Sequence, residues 1–304
     1  MKANTLSYAF FPGCSLESTA WDFDLSTRAL CKDLDIELTD IPDWVCCGST
    51  PAHASNASLA VALPVLNLQK AQAAGFSEVL TACASCYARL RTANHKVNHD
   101  PSERQRAERI TEKPYNGAVK VRHILDVLVN DLGVREVRKR IKAPLKGLRV
   151  ASYYGCLLSR PKEIVAFDDA EHPTCMDDLV KAAGGQPVDW PLKTECCGAS
   201  LSIGKTDIVK RLGYRLLSMA HRAGAECIVV ACPLCHLNLD FRQPEAKKGG
   251  QGVATPCPIP DMPVLYITQL LGLALGLPQD ALGLDALTIS AAPLSARCAA
   301  AGRS

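Results

Sequence analysis

Two short stretches, "DWVCCGST" at 43–50 and "TECCGAS" at 194–200, each place two cysteines side by side ahead of a glycine. A disulfide between chain neighbours closes a strained ring, so a structural bridge is a poor explanation for either pair. Each pair belongs to a larger set. The first set is Cys14, then Cys46 and Cys47, then Cys83-x-x-Cys86; the second is Cys156, then Cys196 and Cys197, then Cys232-x-x-Cys235. The intervening gaps are 31 and 35 residues in the first set and 39 and 34 in the second. The order single, pair, C-x-x-C therefore occurs twice at nearly matched offsets. The chain has fifteen cysteines, an odd number, and its opening "MKANTLSYAFFPGC" lacks the apolar stretch and cleavage site of a secretory signal. Metal or redox chemistry is then a stronger reading than a disulfide framework.

Five thiolates per set limit the chemistry. A closed zinc site takes four ligands, and so does a cubane four-iron cluster. The fifth thiolate could bridge two irons or open the cube, and two neighbouring sulfurs reach two adjacent metals more easily than they crowd around one. Gly48 and Gly198 remove a Cβ where the chain is expected to bend close to the metal. The C-x-x-C pairs fall where helices are expected to begin, so backbone N–H groups would offset sulfur charge. A mixed arrangement, zinc in one half and a cluster in the other, is the alternative.

The elements that must position these residues repeat as well. "YAFFPGCS" mirrors "ASYYGCLL", "SEVLTACASC" mirrors "ECIVVACPLC", and "VKVRHILDVLVNDLG" mirrors "PVLYITQLLGLALG". A duplicated domain about a pseudo-twofold axis follows. Strand-like runs at Leu6–Phe11, Ile36–Ile41, Val79–Ala82, Arg149–Tyr153, Gln186–Asp189 and Ile228–Ala231 each precede a cysteine group. Helical patterns lie between them at Asp24–Leu34, Ser58–Ala74, Met176–Ala183 and Asp207–Ala223, with Pro64 expected to kink the second. The alternation predicts an α/β fold of two pseudo-twofold-related Rossmann-like domains with small parallel sheets. Ligands in such folds gather outside the carboxyl ends of strands, where all ten patterned cysteines fall. The expected boundaries are 1–140 and 141–289 for the two domains, joined near Arg138–Gly147, and 290–304 for a disordered tail. Pro101–Lys113 reads as a surface helix or loop and Pro244–Met262 as a loop. A net charge of +3 without a basic run excludes a nucleic-acid binder. Val264–Pro278, about 15 residues, is short of the roughly 20 that a membrane span needs.

These blocks resemble the CCG-domain family, and within it the B subunit of heterodisulfide reductase and its bacterial homologues. The resemblance runs from about Tyr8 to Gly276 and is carried by "YAFFPGCS", "PVDWPLKTECCGASLS" and "CPLCHLNLD". It implies two non-cubane 4Fe-4S clusters. One would be held by Cys14, Cys46, Cys47, Cys83 and Cys86, the other by Cys156, Cys196, Cys197, Cys232 and Cys235. The ferredoxin run C-x-x-C-x-x-C-x-x-x-C-P is absent, as in the stand-alone form of that family member. The resemblance further implies a cytoplasmic heterodisulfide reductase-like complex with a ferredoxin-like partner (its C subunit) and a flavin-containing partner (its A subunit), acting on a heterodisulfide or a protein-bound lipoamide. A lipoate-binding protein is a further partner under that reading.

Reductive cleavage of a disulfide takes two electrons and two protons. Two one-electron clusters facing one another across the pseudo-twofold axis would supply the electrons. No G-x-G-x-x-G follows a strand, so the electrons must come from another protein of the complex. Of the other cysteines, Cys31, Cys175 and Cys227 read as core fillers, and Cys257 and Cys298 belong to no pattern. His53 and His236 are nearest the sets and are candidates for a hydrogen bond to sulfur or for proton donation; Lys205 and Arg215 read as solvent-facing. The alternative function is an electron-transfer or quinone-reactive subunit of an unusual succinate dehydrogenase-type complex. A non-catalytic zinc scaffold is the third reading.

Overall fold

The computed structural model describes residues 6–49, 51–248 and 257–301 of the 304. It contains two four-stranded, all-parallel sheets of identical topology. The first has the order β2-β1-β3-β4, from β1 (Leu6–Phe10), β2 (Ile36–Asp40), β3 (Glu78–Thr81) and β4 (Lys120–His123). The second has the order β6-β5-β7-β8, from β5 (Arg149–Tyr153), β6 (Gln186–Pro187), β7 (Cys227–Val230) and β8 (Val264–Tyr266). The six expected strands are all present within one or two residues at either end. β4 and β8, the fourth strand of each half, were not anticipated, because each is only a short run leading directly into a helix.

Parallel neighbours require helical crossovers, and right-handed crossovers dispose them on both faces of each sheet. In the first half these are α1 (Trp21–Asp33), α2 (Leu59–Ala73) and α3 (Ala84–His99). In the second they are α4 (Cys175–Ala182), α5 (Thr206–Arg222), α6 (Pro233–Leu239) and α7 (Ile267–Leu275). Sheets covered on both faces need continuous apolar strands, and β7 is buried at every residue. α2 runs unbroken through Pro64, which is buried within it. Pro101–Thr111 is a helix, started by Asp100, whose carboxylate accepts from the amides of Ser102 and Glu103, and by Pro101 in its first turn. The expected connector Arg138–Gly147 begins as the end of a helix, Val134–Arg140. The expected loop Pro244–Met262 begins inside the helix Gln243–Lys248. The tail differs from expectation in the same way: Ala292–Ala301 is helical, with Leu294 and Ser295 buried. An alanine-rich run favours helix once one face has something to cover.

The two halves share one hydrophobic core. At their seam α1 packs on α7. Phe23 stacks flat on Tyr266 with ring centroids 3.9 Å apart. Beside them, Ser26 and Thr268 share a hydroxyl hydrogen bond of 2.7 Å, and Gln269 donates to the Asp22 carboxylate at 3.1 Å. All four of these polar side chains are buried, so each has to find its partner across the seam. On the opposite side, Tyr87 and Arg91 of α3 donate to the carbonyls of Val165 and Ile164.

Two outcomes follow from this seam. Phe23→Ala should cost about 3–5 kcal/mol, and denaturant unfolding should remain a single transition, because the halves have no independent cores. Separate transitions for the two halves would contradict the shared core. Burial raises the Asp22 carboxyl to about 6, so folding favours its protonated form and the stabilisation fades as pH rises from about 4 through 6. Asp22→Asn should therefore raise the unfolding midpoint at pH 8 and bring little gain at pH 4.

Candidate metal centre

The ten patterned cysteines all lie just beyond the carboxyl ends of strands. Cys14 is in the short turn of helix Gly13–Leu16 that follows β1, and Cys156 occupies the matching place after β5. Cys83 and Cys232 are the N-caps of α3 and α6. The Cys83 sulfur accepts from the Cys86 amide at 3.5 Å, which is the expected use of a helix start next to a sulfur. Cys46, Cys47, Cys196 and Cys197 lie in loops after β2 and β6. Cys47, Cys83, Cys86, Cys197, Cys232 and Cys235 are buried, Cys156 is half-buried, and Cys14, Cys46 and Cys196 are exposed. Each half thus has a buried trio and an outer pair.

The sulfurs touch in a chain. Cys14 and Cys46 are 3.8 Å apart, Cys47 and Cys86 3.5 Å, and Cys197 and Cys235 3.5 Å. Cys156 and Cys196 are near enough to shift each other's acidity, Cys156 upward and Cys196 downward. Cys83 and Cys232, one from each half, are near enough to shift each other's acidity, Cys83 upward and Cys232 downward. Hydrogen bonds from Cys46 and then Cys86 hold the Cys47 thiol down at about 4. A hydrogen bond from Cys156 brings Cys196 to about 6. Cys235 and then Cys83 lower Cys232, whereas Cys86 is pushed up by its contact with Cys47 and then Cys83, and Cys235 by its contact with Cys197 and then Cys232. The ten patterned cysteines are all free thiols.

The sulfur positions are set by specific packing. Gly13 has φ +73°, and a Cβ there would lie 2.7 Å from the Cys86 sulfur; Gly155, φ +65°, would place one 3.2 Å from the Cys235 sulfur. The glycines that a close approach to sulfur requires are therefore those preceding the single cysteines. Gly48 and Gly198 also have positive φ, but added Cβ atoms would meet the helix side chains Ala52 and Leu63, or Leu212 and Val209, and no sulfur. Asn67, fully buried on α2, accepts from the Val45 amide and donates to its carbonyl, fixing the loop before Cys46. Tyr153 does the equivalent for the second loop by donating to the Glu195 carbonyl at 2.7 Å. Neither anchor was anticipated; both lie far from the cysteines in sequence.

Between the halves is a cavity of about 240 Å³. Cys156, Cys196, Cys197, Cys232 and Cys235 line it together with Ser49, His53, Ser85 and Arg89 from the first half. His53 is exposed on one rim, and its Nδ1 accepts from Arg89 at 2.8 Å. His236 is not at the cavity. Its Nε2 donates to the Val264 carbonyl at 2.9 Å and its ring stacks on Tyr266, so it supports β8 and cannot serve as a proton donor. Lys205 and Arg215 are exposed. Cys31, Cys175 and Cys227 are buried away from the cavity, and burial pushes Cys31 up to about 12. The side chain of Cys298 lies outside the described residues.

The donor set fits an iron–sulfur group in number and kind: five thiols per half, three buried and two outer in each. The thiols contact one another in pairs. Among the described residues no three His, Cys, Asp or Glu side chains are arranged around a common point to hold one metal ion.

A family model described as a cysteine-rich domain, CCG, matches residues 8–91 and 150–240, so the match occurs once in each half. The 8-methylmenaquinol:fumarate reductase membrane anchor subunit of Wolinella succinogenes is 32% identical over 94% of this chain and 98% of its own length. The B subunit of the ferredoxin/F(420)H(2)-dependent CoB-CoM heterodisulfide reductase of Methanosarcina acetivorans is 31% identical over 91% of this chain and 92% of its own. A crystal structure of a hypothetical protein from Helicobacter pylori superposes with a TM-score of 0.72 at 13% identity, over 95% of this chain and 53% of that one, which speaks to the fold alone. The chain belongs to the CCG cysteine-rich domain family. No helix among the described residues is long and apolar enough to cross a membrane.

Gly13→Ala should lower the metal content of the purified protein, because the new methyl meets the Cys86 sulfur and the backbone conformation disfavours any side chain. Gly155→Ala, with a longer contact, should lose less. Equal content in wild type and Gly13→Ala, measured by elemental analysis, would disprove this role for the glycine.

Proposed function

Starting from that family membership, we propose that the chain is the iron–sulfur catalytic subunit of a heterodisulfide reductase-like complex. It reduces a disulfide, or oxidises a dithiol, between two four-iron, four-sulfur groups. Cys14, Cys46, Cys47, Cys83 and Cys86 would hold one, and Cys156, Cys196, Cys197, Cys232 and Cys235 the other. The observation that carries this reading is the cavity between the halves, where all five cysteines of the second set face Ala84, Ser85 and Arg89 from the C-x-x-C helix of the first. Such groups supply electrons one at a time, and a disulfide needs two.

This chain's own residues contribute position and exclusion of water. The N-terminal turns of α3 and α6 both reach the cavity, and the seam helices fix the distance between them. Holding both substrate sulfurs at once is what makes such a reaction effectively unimolecular. The buried trios keep solvent from the inner sulfurs. Electrons would arrive from a ferredoxin-like partner backed by a flavin-bearing one, in keeping with a relative that is itself one subunit of a heterodisulfide reductase. A thiol-rich site of this kind suits the reducing cytoplasm.

A second reading is supported by the Wolinella relative, whose name places it in a menaquinol:fumarate reductase. There the same site would pass electrons to or from a quinol-linked complex. Turnover with a disulfide and a one-electron donor separates the two readings, since only the first requires it.

Cys197→Ser should remove roughly half the iron while leaving the first set of ligands loaded, and should abolish disulfide turnover. Cys83→Ser, in the first set, should do the same, and the two losses should be non-additive. Full iron and full turnover in Cys197→Ser would show that the ligand set is wrong. Near-normal turnover in Cys83→Ser would remove the two-group mechanism.

A further inference from the structure

The cavity walls are built from pseudo-equivalent positions that carry opposite chemistry. Two residues after Cys47 stands Ser49, and two after Cys197 stands Ala199. Between the C-x-x-C cysteines, Ser85 in the first half matches Leu234 in the second. One residue after each single cysteine, Ser15 matches Leu157, and of these it is Leu157 that lines the cavity. Ser49 and Ser85 share a hydroxyl hydrogen bond of 2.5 Å. At these matched positions the first half therefore offers hydroxyls to the cavity, and the second half offers Leu157, Ala199 and Leu234 beside its cysteines.

Arg89 sharpens the contrast. Three residues after Cys86, it matches Asn238, three after Cys235. Asn238 is fully committed to structure: it donates to the Cys197 carbonyl at 3.0 Å and accepts from Ser202 at 3.1 Å. Arg89 is not. It lines the cavity, one guanidinium nitrogen donates to His53, and its buried Nε has no hydrogen-bond partner among the described residues. A buried guanidinium donor without an acceptor is costly, and planar acids are the groups it pairs with best. No carboxylate of this chain forms an ion pair with it among the described residues.

We propose that Arg89, oriented by His53, is the binding residue for a carboxylate substituent of the substrate, and that it fixes which way round an unsymmetrical disulfide or dithiol lies. The acidic arm lies against Ser49, Ser85 and Arg89, and the alkyl arm against Leu157, Ala199 and Leu234. The inference rests on the reading of the cavity as a thiol and disulfide site.

The test uses the full-length, anaerobically prepared protein carrying its iron. It is titrated near pH 7 with 3-mercaptopropionate and with the near-isosteric neutral 3-mercaptopropionamide, following the visible and electron paramagnetic resonance spectra of the iron. The acid should bind about tenfold more tightly than the amide, the scale of a charge-assisted pair. Arg89→Gln should equalise the two at unchanged iron content, and Arg89→Lys should restore part of the preference. A merely structural role would weaken both ligands together and leave their ratio intact. Equal affinities in wild type, or a preference that survives Arg89→Gln, overturn the inference and leave the thiol-site reading standing. If neither thiol perturbs the spectra, the reading of the cavity fails and the inference fails with it.

Discussion

The close approach of Cys83 and Cys232 across the two halves constrains the rest of the structure. For these two sulfurs to meet, α3 and α6 must begin at one point, which requires the carboxyl ends of β3 and β7 to face each other. That arrangement requires α1 and α7 to close the seam, and a buried seam requires every polar group in it to be paired. Ser26 with Thr268 and Asp22 with Gln269 meet that requirement. A chain of necessity thus leads from two thiols back to a stacked Phe23 and Tyr266 some distance from any sulfur.

Pseudo-symmetry is kept in geometry and relaxed in residue type. The residue after each C-x-x-C is Tyr87 in one half and His236 in the other, and the residue closing the fourth strand is His123 in one and Tyr266 in the other. The ring pairs survive as Tyr87 on His123 and His236 on Tyr266, with the partners exchanged. Both histidines donate Nε2–H to a backbone carbonyl, of Ala82 and Val264 respectively, and burial lowers both. What is retained is an aromatic slab that locks the C-x-x-C helix to the edge strand. At the cavity wall the same relaxation has a chemical consequence, since Arg89 and Asn238 cannot perform the same task.

The sequence made the ligand geometry legible because the ten cysteines sit at strand ends, where pattern and chemistry coincide. It was less informative where the cause lies in tertiary structure. β4 and β8 are only four and three residues long, too short for alternation to register, and their pairing with β3 and β7 is what defines them. Asn67 and Tyr153 act through loops 22 and 42 residues away, which no local window covers. His236, adjacent to a ligand in sequence, turns away because a helix projects successive side chains about 100° apart. The role of Gly13 and Gly155 was present in the "PGC" and "YGC" triplets, but their nearest atom belongs to a cysteine on another element. The tail's helix was hidden by composition, because small residues read as polar filler until Leu294 finds the core.

The electrostatics of the folded chain give the sulfur array a direction. Six of the ten sulfurs are buried, and burial alone disfavours thiolates. Yet Cys47, Cys196 and Cys232 are held low, because each receives hydrogen bonds from neighbouring thiols that are themselves pushed up. The proton is thereby moved to the neighbour instead of being lost. The Arg89 guanidinium adds a smaller favourable charge beside Cys47. A set of five ionised thiolates in such surroundings has too little positive charge from the protein to balance it, and a cationic metal core is what would make full deprotonation favourable. Metal affinity, thiol acidity and folding are then one linked equilibrium. Of the outer cysteines it is Cys196, held low by Cys156, that lines the cavity, which places the more easily ionised sulfur where an incoming ligand would meet it.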